Sequence, residues 1–219
     1  MSFSRSRFVS FLIFVNILVF LLWLAAALGY NNATLNEAFM EQNFLVSWNG
    51  LADGRYWTLL TSAFSHTLFL HIFLNMFVLQ SFGPVVQSVL GFKRFAMFYF
   101  AAAIISSFSH AAVSAFVVGK PGLPALGASG AVSGVIILFS LMFPTQKILL
   151  LGFIPVPAVV GGMIFIGLDL WGLWAQAEGG GLPIGHGAHL GGALTGILYF
   201  LVLLRQMRRL RKQESPPIA

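Results

Sequence analysis

The chain has 219 residues, 58% of them hydrophobic and only 8% charged; a soluble domain has about 45–50% and about 25%, so this is an integral membrane protein. There is no cysteine, which excludes disulfides, a thiolate nucleophile and cysteine-based zinc sites. The net charge of +6 raises nucleic acid as a partner, but the placement of the charges argues against it.

Residues 1–7 form a short basic leader with Arg5 and Arg7, read as a cytoplasmic N-terminus. Residues 8–29 carry no charge, which is longer than the roughly 7–15-residue apolar core of a signal peptide, so a retained first span is expected. Residues 30–57 read as a polar, mixed loop. Further spans are expected at about 68–90, 94–117, 128–143, 147–168 and 186–206. The breaks between them come from Lys93-Arg94, from the Gly/Pro loop 118–124, from Pro144 and from a Gly-rich stretch over 170–185. The fold class is therefore an all-α membrane bundle of six helices over residues 8–206, with a short central fourth helix. A basic, Pro-rich cytoplasmic tail follows at 207–219, its end expected to be disordered.

With the N-terminus inside, Arg5, Arg7, Lys93, Arg94, Lys147, Arg205, Arg208, Arg209, Arg211 and Lys212 fall on the inner side, and Arg55 and Lys120 on the outer. That asymmetry satisfies the positive-inside rule. The basic tail then anchors topology and meets anionic lipid. The lipid bilayer is a partner and nucleic acid is not.

Spans two, four and six run from outside to inside, so their first residues share the outer leaflet. Span two begins with His71 and Asn75, one turn apart on one face. Span four begins with Ser129, inside the small-residue run Gly127-Ala128-Ser129-Gly130-Ala131-Val132-Ser133-Gly134. Span six begins with His186 and His189. Sixteen residues of span four make roughly 24 Å against a hydrocarbon core of about 30 Å. Its start therefore lies below the surface, where irregular backbone must line protein or water. A sunken, wet cavity with Ser129 at its floor follows. Gly192 and Gly196 supply a second small-residue ridge that can bring His189 up to Ser129, and a serine becomes a nucleophile when a base takes its proton.

Gly127-Ala128-Ser129-Gly130, His71-x-x-x-Asn75 and Ala188-His189-Leu190-Gly191-Gly192, in this order and on these spans, resemble the rhomboid family of intramembrane serine proteases over about residues 57–200. Phe73-Leu74-Asn75-Met76 and the run Gly185–Gly192 are similar to the branch with the mitochondrial members; the six-span layout looks bacterial. The resemblance implies an endopeptidase that cuts transmembrane protein substrates, with Ser129 as nucleophile, His189 as general base, and His71, Asn75 and the Ser129 N–H as oxyanion donors. No carboxylate is near His189 in sequence, so a Ser-His dyad is expected rather than a triad. The expected location is the plasma or inner membrane of the cell, with the site open to the outer face.

The chain departs from the family pattern at two positions. Thr58 follows Trp57 where Trp-Arg is usual, and Ser133 stands where a tyrosine often stacks on the base. For His186 and His189 a metal site is the weaker reading, because no Cys or nearby acidic group completes it; no metal and no cofactor are expected. His66 is read as a wedge in the loop before span two, His110 as a polar helix–helix contact, and Asp169 and Glu178 as solvated loop charges. Span five, with Trp171 and Trp174, and the loop 178–187 read equally as a mobile lid or an interfacial aromatic belt. The competing functions are a catalytically inactive rhomboid-like binder of membrane proteins and, less favoured for want of an internal repeat, a small-solute transporter.

Overall fold

The structure, a computed structural model, describes residues 6–29, 36–150 and 152–214, with side chains through Met207. Five helices are long and apolar enough to cross a membrane: α1 (Arg7–Ala27), α5 (Phe69–Leu90), α6 (Phe92–Phe116), α8 (Ala158–Ala177) and α9 (His186–Glu214), the last spanning over His186–Met207. The loop after α1 contributes α2 (Glu37–Phe44), α3 (Trp48–Ala52) and α4 (Thr58–Thr61), and α7 (Ser129–Met142) is the short sixth member of the bundle. The six-helix bundle with a short central fourth helix is thus the observed fold.

The centre is set by residue size. Nearly all of α7 is buried, whereas α1 exposes Phe11, Phe14, Leu18 and Leu21, the lipid-facing surface expected of an outer helix. In α7 and α9 the glycines let backbone meet backbone. A methyl on Gly196 would lie 2.6 Å from the Gly134 carbonyl oxygen, and one on Gly192 would overlap the Gly130 carbonyl outright. No other residue type fits that approach. Below it, Leu12, Leu79, Val86, Phe95, Phe98, Tyr99 and Leu138 fill the core.

Three expectations need correction. The stretch 30–57 is not a plain loop: Asn36 and Ser47 cap α2 and α3 by accepting from the Phe39 and Gly50 N–H groups, the local chemistry that starts a helix. The fifth span does not begin at Lys147. Strands β1 (Lys147–Leu150) and β2 (Ile154–Pro157) pair antiparallel, Lys147 opposite Pro157 and Leu150 opposite Ile154. Pro155 and Pro157 lack the N–H a helix needs, and Gly152 at φ 86° makes the turn. The helix then starts at Ala158 and runs to Ala177, so residues 170–177 are helix rather than loop. Finally, α9 continues past 206 to Glu214. The disordered end expected at 215–219 lies outside the described residues.

The first loop holds the entry to α7. Val46 and Ala125 exchange backbone bonds of 3.0 and 2.8 Å, the Asn49 N–H donates to the Pro121 carbonyl at 3.1 Å, and the Gly127 N–H donates to the Ser62 carbonyl at 2.8 Å. Arg55, two residues before Trp57, lies against Gly50 and pairs with Asp53 at 3.3 Å. The loop is therefore anchored through its backbone bridges, with threonine at position 58, while Arg55 makes its contacts within the loop.

Candidate active site

The N-terminus of α7 opens into a cavity of about 770 Å3. Its wall includes His71 and Asn75 from α5, Ser129, Val132 and Ile136 from α7, Phe165 from α8 and His189 from α9. The fold thus brings all four sequence-derived site residues to one space. Among the described residues no hydrogen bond joins the Ser129 hydroxyl to His189 or to any other group. Catalytic bonds are often long before substrate arrives.

Gly127 carries the sharp entry to Ser129. Its φ of 120° is open to glycine, and a Cβ there would lie 2.7 Å from His71 Cε1 and 2.9 Å from Nε2. The chain therefore passes directly under the His71 ring. The Ser129 N–H takes no partner among the described residues, as expected at the first turn of a helix. It stands free at the positive end of the α7 dipole. Asn75 donates one amide N–H to the His71 carbonyl at 2.9 Å, which leaves its second N–H for the cavity. A developing oxyanion would thus meet fixed donors.

His66 does more than wedge a loop. It is fully buried, stacks edge-on against His71 at 4.9 Å, and its Nε2 accepts the Ala128 N–H at 3.3 Å. Burial, aided by the neighbouring His71, pushes its pKa from 6.5 down to about 3; it stays neutral, as an acceptor nitrogen must. His110 binds the Leu123 carbonyl and Ser114, each at 3.2 Å, so it ties α6 to the loop before α7 rather than to another helix.

The sequence reading of Asp169 is overturned. Asp169 is a buried residue of α8, and its Oδ1 accepts from His186 Nδ1 at 2.7 Å and from His189 Nδ1 at 3.0 Å. A carboxylate is therefore beside His189 after all, and the ground for expecting a dyad falls. A proton on Nδ1 leaves the lone pair of His189 on Nε2, the tautomer a general base needs. The ring is further held by Phe165, at 5.7 Å and 31°, while Ser133, in the place of a stacking tyrosine, donates instead to the Ser129 carbonyl at 2.6 Å. The same carboxylate supplies the acidic group whose apparent absence weakened the metal reading, for the three ligand atoms lie within 4.8 Å of one another. Their spacings of 2.7 and 3.0 Å are those of N–H···O bonds.

The signal for Asp169 was present: a lone carboxylate in the apolar run 158–175 is a functional candidate by default. Placing the helix end at 168 hid it. For Phe165 no signal exists, since one phenylalanine among 23 carries no mark of its neighbour. Trp171 and Trp174 are exposed on α8, an arrangement that both the lid and the interfacial-belt readings allow.

Residues 53–206 match the model of the Rhomboid domain. The chain belongs to the rhomboid family. It is 34% identical over 194 residues to RHOMBOID-like protein 12, mitochondrial, of Arabidopsis thaliana, covering 83% of this chain and 54% of that one. With Rhomboid protein 1, mitochondrial, of Saccharomyces cerevisiae it shares 37% over 169 residues, 72% of this chain and 44% of the other. With the human Presenilin-associated rhomboid-like protein, mitochondrial, it shares 32% over 199 residues, 88% and 47%. The chain spans about half the length of these rhomboid relatives. Each is mitochondrial by name, in line with the branch suggested by Gly185–Gly192. This overturns the expectation of a bacterial form in the plasma or inner membrane of a cell.

Proposed function

We propose that the chain is an intramembrane serine endopeptidase that hydrolyses peptide bonds of membrane-protein substrates, in a mitochondrial membrane as the names of its relatives suggest. The observation that carries this reading is the single cavity lined by Ser129, His189, His71 and Asn75. His189 Nε2 takes the proton of Ser129 as its oxygen attacks the scissile carbonyl. The oxyanion is received by the Ser129 N–H, His71 and Asn75. His189 returns the proton to the leaving amine, and water then repeats the sequence on the acyl-enzyme. Asp169 holds the imidazole in the working tautomer, which makes the unit a Ser-His-Asp set.

The substrate argument is equally local. A transmembrane helix hides its carbonyls in hydrogen bonds, so the segment cut must unwind, and weak helix formers are favoured there. The cavity continues along Leu74, Val78 and Ile136, an apolar channel for such a strand. The family resemblance adds a small residue before the cut.

The lack of a Ser129–His189 hydrogen bond favours one rival, an inactive rhomboid-like protein that binds membrane clients. Incubation with a fluorophosphonate and with a panel of single-span substrates separates the two. Labelling at Ser129 and a mapped cut, both lost in Ser129→Ala and His189→Ala, support the protease. Full cleavage by folded Ser129→Ala would refute it.

A further inference from the structure

Beyond the four expected groups, α8 and the start of α9 carry a side chain that no step above uses. His186 is buried, and its hydrogen bond to Asp169 Oδ1 at 2.7 Å is shorter than the one His189 makes to the same oxygen. Its other nitrogen, Nε2, is buried with no partner among the described residues. Asp169 is therefore the one polar group this side chain binds there. A carboxylate taken out of water is costly unless donors surround it, and Asp169 has two: the base and His186.

The packing is fitted to this ring. Gly172 lies three residues after Asp169, on the same face of α8. A methyl group on Gly172 would overlap the His186 imidazole at Cε1 and Nε2. Since φ at Gly172 is helical and raises no backbone requirement, the glycine is required there by the ring alone.

We infer that His186 is a positioning residue of the protease: by donating to Asp169 Oδ1 it fixes the carboxylate that in turn orients His189. This rests on the Ser129–His189 reading. His186 neither touches substrate nor moves a proton. It sets where Asp169 points, and so which nitrogen of His189 faces Ser129. An aspartate with one donor fewer can rotate about its side chain and release the base. Outer partners of metal-bound histidines typically contribute about 10–100-fold, and the same scale is expected for a carboxylate that orients a base.

The test uses the full chain in proteoliposomes with a single-span substrate, each variant checked by thermal unfolding and scaled to folded protein. His186→Phe keeps the ring and removes the donor; kcat falls at least about tenfold with KM within about twofold. His186→Asn places an amide N–H where Nδ1 was, and restores kcat to within about threefold. Gly172→Ala displaces the wild-type ring and costs about as much as His186→Phe, yet is silent in His186→Asn, whose smaller side chain leaves room for the methyl. That non-additivity shows that the Gly172→Ala cost acts through the ring, and rescue of kcat by His186→Asn, which restores the donor but not the ring's bulk, is not produced by a residue that merely fills space. Equal loss in His186→Phe and His186→Asn, or wild-type kcat in either His186→Phe or Gly172→Ala, would overturn the inference. With Ser129→Ala inactive, such a result leaves the protease reading standing. If folded Ser129→Ala still cleaves, the protease reading fails and this inference fails with it. Should His186→Phe not fold, Gly172→Ala alone and in His186→Asn decides.

Discussion

Gly127→Ala probes the proposed oxyanion site at its tightest point. Two costs are set by the structure. The residue sits at φ 120°, where a side chain strains the backbone by about 1–3 kcal/mol. The new methyl would also lie 2.7 Å from His71 Cε1 and 2.9 Å from Nε2, so the ring must leave its place against the loop. Strain alone is measured at Gly152, whose φ is 86° with open space around it. Gly152→Ala should lose a similar 1–3 kcal/mol of stability and keep its kcat. Gly127→Ala should lose stability as well and, in addition, about 10²–10³ in kcat, the usual consequence of a missing oxyanion donor. His71→Ala should reproduce that rate loss, and the double variant should be no slower than His71→Ala. Cleavage of a single-span substrate, with thermal unfolding of each variant, reads all four proteins. If folded Gly127→Ala turns over at the wild-type rate, His71 is not an oxyanion donor in this cavity and the assignment is wrong.

Asp169→Asn should fold yet lose about 10²–10⁴ in kcat, because an amide can hold the wrong tautomer of His189; fluorophosphonate labelling of Ser129 should slow in parallel. Phe165→Ala removes the ring against His189 and should cost about tenfold in kcat from looser positioning of the base. Gly192→Ala places a methyl inside the Gly130 carbonyl and should abolish both labelling and cleavage by forcing α7 and α9 apart. His66 gives a pH test with a definite sign. Its pKa is lowered on folding, from 6.5 to about 3, so its contribution to stability is complete above pH 6.5 and is lost as pH falls from there toward 3. At pH 5 the loss is about 2 kcal/mol. Thermal unfolding in detergent at pH 7.5 and pH 5 should show it in the wild type and lack it in His66→Gln.

The sequence by itself determined the membrane setting and the number of helices in the bundle, and it pointed to the chemistry proposed for the opening. Hydrophobic runs of about 20 residues admit one solution in lipid. Parity then placed Ser129, His71, Asn75 and His189 at the same depth, and the glycines of α7 and α9 announced a backbone contact whose closeness the structure bears out. The hairpin at Lys147–Pro157 escaped because a short apolar run reads alike as strand or helix; Pro155 and Pro157 were the distinguishing marks. Asp169 escaped for a different reason. A carboxylate is solvated in a loop and functional inside a helix, and the choice turned on a helix end. What only the tertiary structure decided is which nitrogen of each histidine faces which neighbour. Ring orientation follows from contacts between α8 and α9, residues about 20 apart in the chain, and no local pattern encodes them. The proposed nucleophile is legible because it sits in a motif; the base proposed for it is held by groups that become neighbours when the helices pack.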